Sequence, residues 1–519
     1  MKKFILFGFL GLLVMAFATG SYALEFKASG MIDAQWFYNV NATAANPAGG
    51  FYNALPAAFK WNPSTGLKGG ALDRKVNYYE SRARLKFDAI VDKNLSGTIF
   101  FEMDSSRWGD ISPSGAQRNA MGYWAADRAA VEVKNVFIDF GLPYIGIPVP
   151  MSFRVGLQPI AIRPNIFLYT DGMGVIWSTK VDPAAVQLIW AKPFEGRDAV
   201  AQDDVDVLGG HLTAKIGTIS AGAYALYYNM NAYPFSAITA GTVYGYTASY
   251  DAQMWWYGLY MDGKLGPVDV NLDGIMDRGK VMPRDSVYGV PNFIPDVKYR
   301  GWAVRAKIDF PWDKFNFGLT GYYATGADTQ DTSATGLPGS SPGSGIKPYS
   351  TKVTSYVVPP GSESGAAFGE SVVFYSFWGN RGDSGIANTL NYTQMSRGPI
   401  GGTWMAKAYA TIKATPWYKV TLQGMYIGDT TKNGDTFGTA VSYNPFYGYT
   451  LRNKKDIGWE FDLINEINIY KNLKLTVAGG YLFAGKAMDR FTGTTFGPFV
   501  VNDDIKNPWA ITWNLTYNF

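Results

Sequence analysis

The sequence predicts an all-β chain folded as a transmembrane antiparallel up-and-down β-barrel of about 18 strands, with short periplasmic turns and long external loops. Three observations lead to this class. Apolar and polar residues alternate in segments of about ten residues, short and long connections alternate between these segments, and aromatic residues make up 16% of the chain. Because successive strand side chains point to opposite faces, each segment can present one face to lipid and the other to water.

The clearest predicted strand is the last one, 509–519. Trp509, Trp513 and Phe519 share one parity with other large apolar residues, while small polar residues fill the other parity. The segment ends on an aromatic residue, as the closing strands of bacterial outer-membrane barrels do. We therefore predict that Phe519 is a barrel-assembly signal, read by the barrel-assembly machinery.

Segments with the same alternation recur along the whole chain. The predicted strands are 24–38, 76–91, 95–104, 129–141, 151–159, 174–181, 185–192, 205–216, 219–228, 254–265, 267–278, 299–310, 315–324, 403–415, 418–429, 457–470, 473–483 and 509–519. The strand at 129–141 does not keep one phase, because Glu132 and Lys134 disagree with Asp139, which predicts a bulge or a displaced register.

The connections between these segments alternate in length. Short ones include 92–94, 182–184 and 471–472, whereas long ones include 39–75 and 160–173. Short turns at one membrane face and long loops at the other are typical of outer-membrane barrels. An even strand number then closes the sheet, and closure matters because an open sheet edge cannot exist in lipid.

The amino terminus predicts export. Lys2 and Lys3 precede a short apolar run, and Ser21-Tyr22-Ala23 is a small-x-small cleavage site. We expect residues 1–23 to be a signal peptide and 24–519 the barrel, with a long external or pore-folding loop at about 325–402 that is rich in Gly, Ser, Thr and Pro. Within it, 371–378 could form a strand or hairpin.

On several predicted strands the charged residues share one parity. Placing Arg or Lys against lipid costs about 2–4 kcal/mol near the midplane, so the charged face must line the lumen. The expected pore-lining residues are Arg82, Arg84, Lys86, Arg154, Arg305, Lys307, Lys407, Lys413, Asp269, Asp273, Asp277, Glu460, Asp462 and Glu466. An uneven ring of charges sets the selectivity of a water-filled pore, although any one of these residues could merely pair with a neighbour.

The sequence offers little for catalysis, so we expect no enzyme, no catalytic residue, no cofactor and no metal. The single histidine, His211, shares the lumen parity, and no GxSxG nucleophile elbow accompanies it. The run beginning at Asp269 resembles a calcium loop but carries Lys280 where the loop needs glutamate. A formal net charge of +4 indicates no nucleic-acid partner. The triplet 381–383 (Arg-Gly-Asp) is too short to indicate adhesion.

Three segments, 79–87, 154–159 and 480–485, resemble the porin-like outer-membrane barrels related to alginate-export channels. The resemblance implies a barrel of roughly eighteen strands, passage of a hydrophilic solute, and a role for Arg82, Arg84, Lys86 and Arg154 in guiding acidic sugars. The many acidic residues expected in the lumen depart from a strongly anion-selective export channel and favour a more general porin.

The function that follows is an outer-membrane porin of a Gram-negative bacterium, for passive diffusion of small hydrophilic solutes or ions through a charged, water-filled lumen. Two alternatives stay open: a specific channel for an acidic polysaccharide or organic anion, and the barrel sheath of a cytochrome electron conduit. The expected partners are outer-membrane lipid and lipopolysaccharide, the barrel-assembly machinery and small hydrophilic solutes, and the barrel could form a homo-oligomer.

Overall fold

A computed structural model of the chain shows the fold. It describes residues 24–41, 75–109, 120–122, 129, 131–142, 149–195, 204–233, 250–283, 286–287, 290–291, 296–328, 337–339, 352–364, 369–375, 398–438, 440–445, 448–496 and 499–519. The predicted signal peptide and the triplet 381–383 lie outside these residues.

Eighteen long strands form one closed antiparallel barrel. In chain order they are β1 Glu25–Val40, β2 Lys75–Asp92, β3 Leu95–Trp108, β4 Glu132–Gly141, β5 Met151–Ile162, β6 Leu168–Val181, β7 Ala184–Phe194, β8 Val205–Ile216, β9 Ile219–Tyr233, β10 Tyr250–Leu265, β11 Val268–Pro283, β12 Trp302–Trp312, β13 Phe315–Ala324, β14 Thr403–Thr415, β15 Tyr418–Asp429, β16 Asp456–Tyr470, β17 Leu473–Ala484 and β18 Trp509–Asn518. Each pairs with the next, and β18 pairs with β1, so the barrel has no open edge.

Shorter elements lie in the connections. They are the strands Ala120–Met121, Ser286–Val287, Val290–Pro291, Val297–Tyr299, Lys352–Val353, Val441–Asn444, Gly448–Leu451, Arg490–Phe496 and Phe499–Asp503 and the 3-10 helix Lys486–Met488. No helix in the described part of the chain is long and apolar enough to cross a membrane.

The seam between the first and last strands includes the terminal residue. The backbone N–H of Gly30 donates to the carbonyl oxygen of Phe519 at 2.8 Å, and the N–H of Phe519 donates back to Gly30 at 3.1 Å. The Phe519 ring stacks on Tyr517, with centroids 5.6 Å apart. The residue predicted to be an assembly signal therefore extends the pairing that closes the barrel.

The predicted fold class and strand number are confirmed, with one difference in the connections. The stretch 160–173 was predicted to be a long loop, but β5 and β6 both extend into it and leave only residues 163–167 as the connection. Ile160, Ile162 and Leu168 are buried there, at no more than 6% exposure. Because the inner face of these strands is apolar here, as the outer face is, the sequence shows no alternation of apolar and polar residues.

A bulge lies where the mixed phase of the fourth strand predicted it. Asn135 pairs with Phe100 and Val133 pairs with Phe101, so Lys134 has no opposite residue. The extra residue shifts the parity of the strand, which explains why Lys134 and Asp139 can both point to the inner face.

The outer surface of the barrel is apolar, with aromatic residues at both ends of the strands. Trp302 and Trp459 are exposed near the long-loop end, and Trp312 and Trp417 are exposed at the short-turn end. Aliphatic residues such as Leu463 are exposed between these levels. A closed sheet with an apolar band between two aromatic girdles is the architecture of a transmembrane β-barrel.

Candidate functional site

Two pieces of the connection between β13 and β14 cross the interior of the barrel. Residues 352–364 and 369–375, together called the inserted segment, contact strands far apart in the ring. Trp256 of β10 donates its indole N–H to the Val357 carbonyl at 2.8 Å, and the N–H of Val373 donates to Glu460 of β16 at 2.6 Å. Since five strands separate β10 from β16, one segment can reach both only through the lumen.

A buried carboxylate on β11 holds the first piece. Asp277 has no exposed surface and accepts hydrogen bonds from the backbone N–H groups of Gly301, at 2.8 Å, and Val357, at 3.0 Å. Each hydrogen bond of this kind contributes about 0.5–1.5 kcal/mol, and leaving a buried partner unsatisfied costs about 1–3 kcal/mol. Asp277 thus fixes the segment to the wall instead of facing the solution.

Two adjacent carboxylates on β16 hold the second piece. Glu460 accepts hydrogen bonds from the N–H groups of Val373 and Phe374 and from the hydroxyl of Ser371. Asp462 accepts from the N–H of Val372 at 3.2 Å. Residues 371–375 form a turn that begins with a β-bridge at Ser371, whose backbone N–H donates to the Tyr375 carbonyl at 3.3 Å. The strand or hairpin at 371–378 stays a prediction, because 376–378 lie outside the described residues.

One ion-pair network ties the segment to the strands between these anchors. Glu370, on the segment, forms an ion pair with Arg305 of β12 at 2.9 Å and another with the Lys407 ammonium of β14. All three side chains are at most 10% exposed. Removing one member of such a buried network leaves an uncompensated charge, which costs about 3–5 kcal/mol.

The segment approaches the wall closely where glycine leaves room. A Cβ at Gly480 of β17 would lie 2.9 Å from the Cβ of Val372 and would collide with the Asp462 carboxylate. A Cβ at Gly301 would lie 2.4 Å from the Ser355 carbonyl oxygen. Side chains at these two positions would displace the segment from its anchors.

The expectation that six of the charged residues line open water is therefore corrected. They lie on the inner face, but the inserted segment and its neighbours cover them, and each is at most 8% exposed. These residues are Arg305, Lys407, Asp273, Asp277, Glu460 and Asp462. We call the inner faces of β10–β16, at the level of these six residues, the covered wall.

A second, shorter loop also folds inward. Arg163, between β5 and β6, pairs with Asp262 of β10 at 2.7 Å and with Asp273 of β11, and its guanidinium lies 4.4 Å from the centre of the Tyr260 ring. The two inward loops meet where Ser362 donates its hydroxyl to a carbonyl of the shorter loop at 2.8 Å. The lumen is thus narrowed from one side by both loops.

The inner faces of β2–β5, called the open wall, carry a cluster of cations around one carboxylate. Glu102 of β3 forms ion pairs with Arg84 at 2.6 Å, Lys134 at 2.9 Å and Arg82 at 3.3 Å. Lys134 also pairs with Asp171 of β6 at 2.8 Å. The side chains of Arg84 and Asp171 are 23% and 26% exposed, so this cluster reaches the solution in the lumen.

On the same wall, nearer the short-turn end, Lys86 and Arg154 are more exposed than the residues of the Glu102 cluster. Lys86 pairs with Asp88 at 2.9 Å, and Arg154 pairs with Asp139 at 2.8 Å through a two-pronged contact. The Arg154 guanidinium also lies 4.3 Å from the centre of the Phe137 ring. The side chains of Lys86 and Arg154 are 39% and 36% exposed, respectively.

The remaining predicted residues lie toward the short-turn end. Lys307 pairs with Asp309 at 3.5 Å, and Asp269 contacts Lys264 at 3.6 Å. Lys413 lines a cavity of about 550 Å³ together with the ion pair of Glu466 and Lys419. Another cavity of about 630 Å³ at this end is lined by polar residues of β3–β8, among them Ser152, Lys180 and Gln187.

His211 lies beside this second cavity. Its Nε2 is 2.8 Å from the Tyr260 hydroxyl and 3.4 Å from that of Thr213.

The sequence did not single out Lys134, Asp171 or Arg163 as site residues. The bulge shifts the parity of its strand, so alternation did not indicate which way Lys134 points. Arg163 lies in 160–173, a stretch without alternation that is predicted to be a loop.

No family model matches the chain, and no curated protein does. Among solved structures, it is similar to OccK1 (OpdK) of Pseudomonas aeruginosa at a TM-score of 0.47 and 9% identity, covering 95% of this chain and 98% of the other. OccK11 (OpdR) of the same organism gives 0.46 and 9%, with 95% and 96% covered. A BenF-like porin from Pseudomonas fluorescens gives 0.45 and 9%, with 95% and 98% covered. Likenesses this weak do not establish a function.

Proposed function

We propose that this protein is an outer-membrane porin that lets small hydrophilic solutes or ions diffuse passively through its lumen. The observation that carries the proposal is the inner face of the closed barrel. Its open wall holds ion pairs that are about a third exposed, such as Arg154 with Asp139, and these need water beside them. A barrel of this strand number leaves room for an aqueous channel when its interior is not filled by side chains.

The inserted segment fits this function as a constriction. It is fixed to one wall by carboxylates and ion pairs, so it narrows the path without depending on a partner. Cavities of about 550 and 630 Å³ lie at the short-turn end, and their linings include charged and hydroxyl side chains, as the mouth of a path for small hydrated solutes would require. We further propose that the protein lies in outer-membrane lipid and lipopolysaccharide, and that Phe519 serves the barrel-assembly machinery.

The test is single-channel conductance of the refolded barrel, residues 24–519, in a planar bilayer. We expect discrete steps that scale with salt concentration, as in a water-filled pore. A correctly folded barrel that passes no current would contradict the proposal and would favour a plugged barrel or a sheath for another protein.

A specific channel for organic anions is a second candidate, and the cluster around Glu102 favours it. Arg82, Arg84 and Lys134 lie close together there, whereas most acidic residues that argue against anion passage are buried by the two inward loops. A reversal potential measured across a salt gradient distinguishes the candidates. Strong anion selectivity with block by an acidic sugar would support the specific channel, and weak selectivity would support the general porin.

A further inference from the structure

Three lysines meet at one place at the short-turn end of the barrel. Lys413 of β14 lies directly opposite Lys419 of β15 in the strand register. The backbone N–H of Lys413 donates to the carbonyl oxygen of Lys314 at 2.8 Å. All three residues line the cavity of about 550 Å³ at this end, here called the lysine cavity. The strand pairing thus brings three cations into one cavity.

This arrangement is unfavourable without a counter-charge. Side chains directly opposite on paired strands have Cβ atoms about 4.5–5.5 Å apart, and like charges at such a pair destabilise a sheet. Lys419 forms an ion pair with Glu466 of β16, which lies on its other side. Lys413 and Lys314 have no carboxylate within ion-pair distance in the described part of the chain.

The acids at the lysine cavity leave this positive charge uncompensated. Asp313 lines the cavity but forms no ion pair with any described residue. Glu466 is shared between lysines, because it also lies 3.8 Å from Lys474 of β17. Since Lys413 is exposed, an anion in solution can approach it.

The residue types at the cavity select among anions. Its cations are all lysines, whereas two-pronged recognition of a carboxylate favours arginine. Lysine binds phosphate groups as a point charge, and a phosphate monoester carries about −1.5 to −2 charges and three acceptor oxygens at pH 7. Asn468, exposed at the same cavity, adds a side-chain amide as a donor. Two unpaired ammonium groups therefore match the charge of one phosphate group.

We propose that the lysine cavity binds a phosphate group, as inorganic phosphate or as a small phosphate monoester, at Lys314, Lys413 and Lys419. The site rests on the proposed function for its supply of ligand, since a solute crosses the lumen before it reaches the short-turn end. Its binding can be measured without any current. A failure of the site is thus distinguishable from a failure of the porin.

The experiment titrates the refolded barrel in detergent with inorganic phosphate and with glycerol phosphate, and follows binding by phosphorus NMR. The ionic strength is held constant, because salt screens exposed lysines. Acetate, added as a competitor, is the comparison. We expect saturable binding of phosphate and at least about tenfold weaker binding of acetate.

The two phosphates distinguish the sources of the ligand. Tighter binding of glycerol phosphate would support the site and identify a phosphorylated solute, whereas equal or tighter binding of inorganic phosphate would support it and identify free phosphate. Absence of saturable binding of both, or equally tight binding of acetate, would overturn the proposal whether or not the barrel conducts.

Two lysine variants localise the binding. Lys413→Gln removes the cation opposite Lys419, and we expect phosphate binding to weaken about tenfold. Lys180→Gln is the matched control, because Lys180 is exposed at the same end of the barrel but lines the cavity of about 630 Å³. Equal phosphate affinity of the two variants would contradict the assignment.

A stability measurement tests the like-charge pair separately from affinity. Without phosphate, Lys413→Gln relieves the repulsion, so we expect its unfolding midpoint in urea to exceed that of the wild type. Added phosphate should then stabilise the wild type more than the variant, because only the wild type keeps the full site. Phosphate that stabilises both barrels equally would contradict the proposal.

A second variant keeps the test valid if the change on β14 disturbs folding. Lys314 lies in the turn between β12 and β13, outside the strands. We expect Lys314→Gln to weaken phosphate binding about threefold or more. Unchanged phosphate affinity in Lys314→Gln would contradict the site.

Discussion

The covered wall and the open wall carry similar charged residues on the same face of the barrel, yet use them differently. On the covered wall, Glu460 and Asp277 bind backbone N–H groups of the inserted segment and have no exposed surface. On the open wall, Arg154 and Asp139 bind each other and are about a third exposed. Charge on an inner strand face can therefore serve either to anchor a loop or to face the solution.

The difference depends on which residues lie above the strand. Alternation places a carboxylate on the inner face but does not say whether a loop will cover it. Where the segment supplies N–H groups, the carboxylate loses its water and gains fixed donors. Selectivity estimated from all inner charges would therefore count residues that solutes never approach.

The largest expected effect comes from removing the two β16 anchors. In Glu460→Ala with Asp462→Ala, the segment loses its contacts at 371–374, and we expect single-channel conductance to rise roughly twofold or more as the lumen widens. Asp88→Ala with Asp139→Ala is the matched control, since both carboxylates belong to the open wall and hold no loop. Equal conductance of the two double variants would contradict the distinction between the walls.

The open wall is tested by its cations. In Arg82→Ala with Arg84→Ala, Glu102 keeps only Lys134, so we expect the anion-to-cation permeability ratio to fall roughly two- to fivefold. Reversal potentials in a salt gradient measure the ratio. Arg305→Met on the covered wall should change that ratio much less, and a larger shift from Arg305→Met would show that solutes do reach the covered wall.

A smaller effect is expected from the close approach at β17. Gly480→Ala places a Cβ against Val372 and Asp462, and we expect overpacking to weaken the anchorage by about 1–3 kcal/mol. Hydrogen exchange of the amides at 371–375 should then accelerate. The adjacent Gly479→Ala is the control, because its Cβ meets nothing nearer than 3.8 Å; similar acceleration in both variants would contradict the steric reason.

The smallest effect concerns a loop above the covered wall. Residues 430–438 contact the inserted segment through Phe437 and Phe374, whose ring centres are 5.0 Å apart. Burial, and next the Asp429 carboxylate, raise the pKa of Asp435 to about 8, against opposing contributions from the Lys454 N–H and Lys455. The folded loop therefore retains a proton that the opened loop releases near its usual pKa of 3.8.

Because the pKa is raised on folding, this contribution to loop stability is fully present below about pH 4 and is lost as the pH rises through about 8. The loss is at most about 1.4 kcal/mol for each pH unit in that window. We expect amide exchange at 430–438, corrected for its intrinsic pH dependence, to show more opening at pH 9 than at pH 6. Asp435→Asn should remove the difference, and a wild-type loop equally protected at both values would contradict the assignment.

Strands and faces could be predicted because both follow from a period of two residues. Parity alone puts Arg305 and Lys307 of β12 on the inner face, where both lie. The anchors could not be predicted, because 325–402 has no periodicity and its partners lie on strands that are distant in sequence. The apolar run Val372-Val373-Phe374-Tyr375 was the one local signal that this part of the loop is buried.

The most direct test of the two-wall account uses the absence of cysteine from the chain. Ser152→Cys puts a thiol beside the large polar cavity below the open wall, and Thr320→Cys puts one on the covered wall, where Thr320 is 2% exposed. A charged, membrane-impermeant thiol reagent is applied while the current is recorded. The account predicts that the current falls only for Ser152→Cys, and that Thr320→Cys responds once Glu460→Ala is added. Equal reaction of both thiols in otherwise unchanged barrels would contradict it.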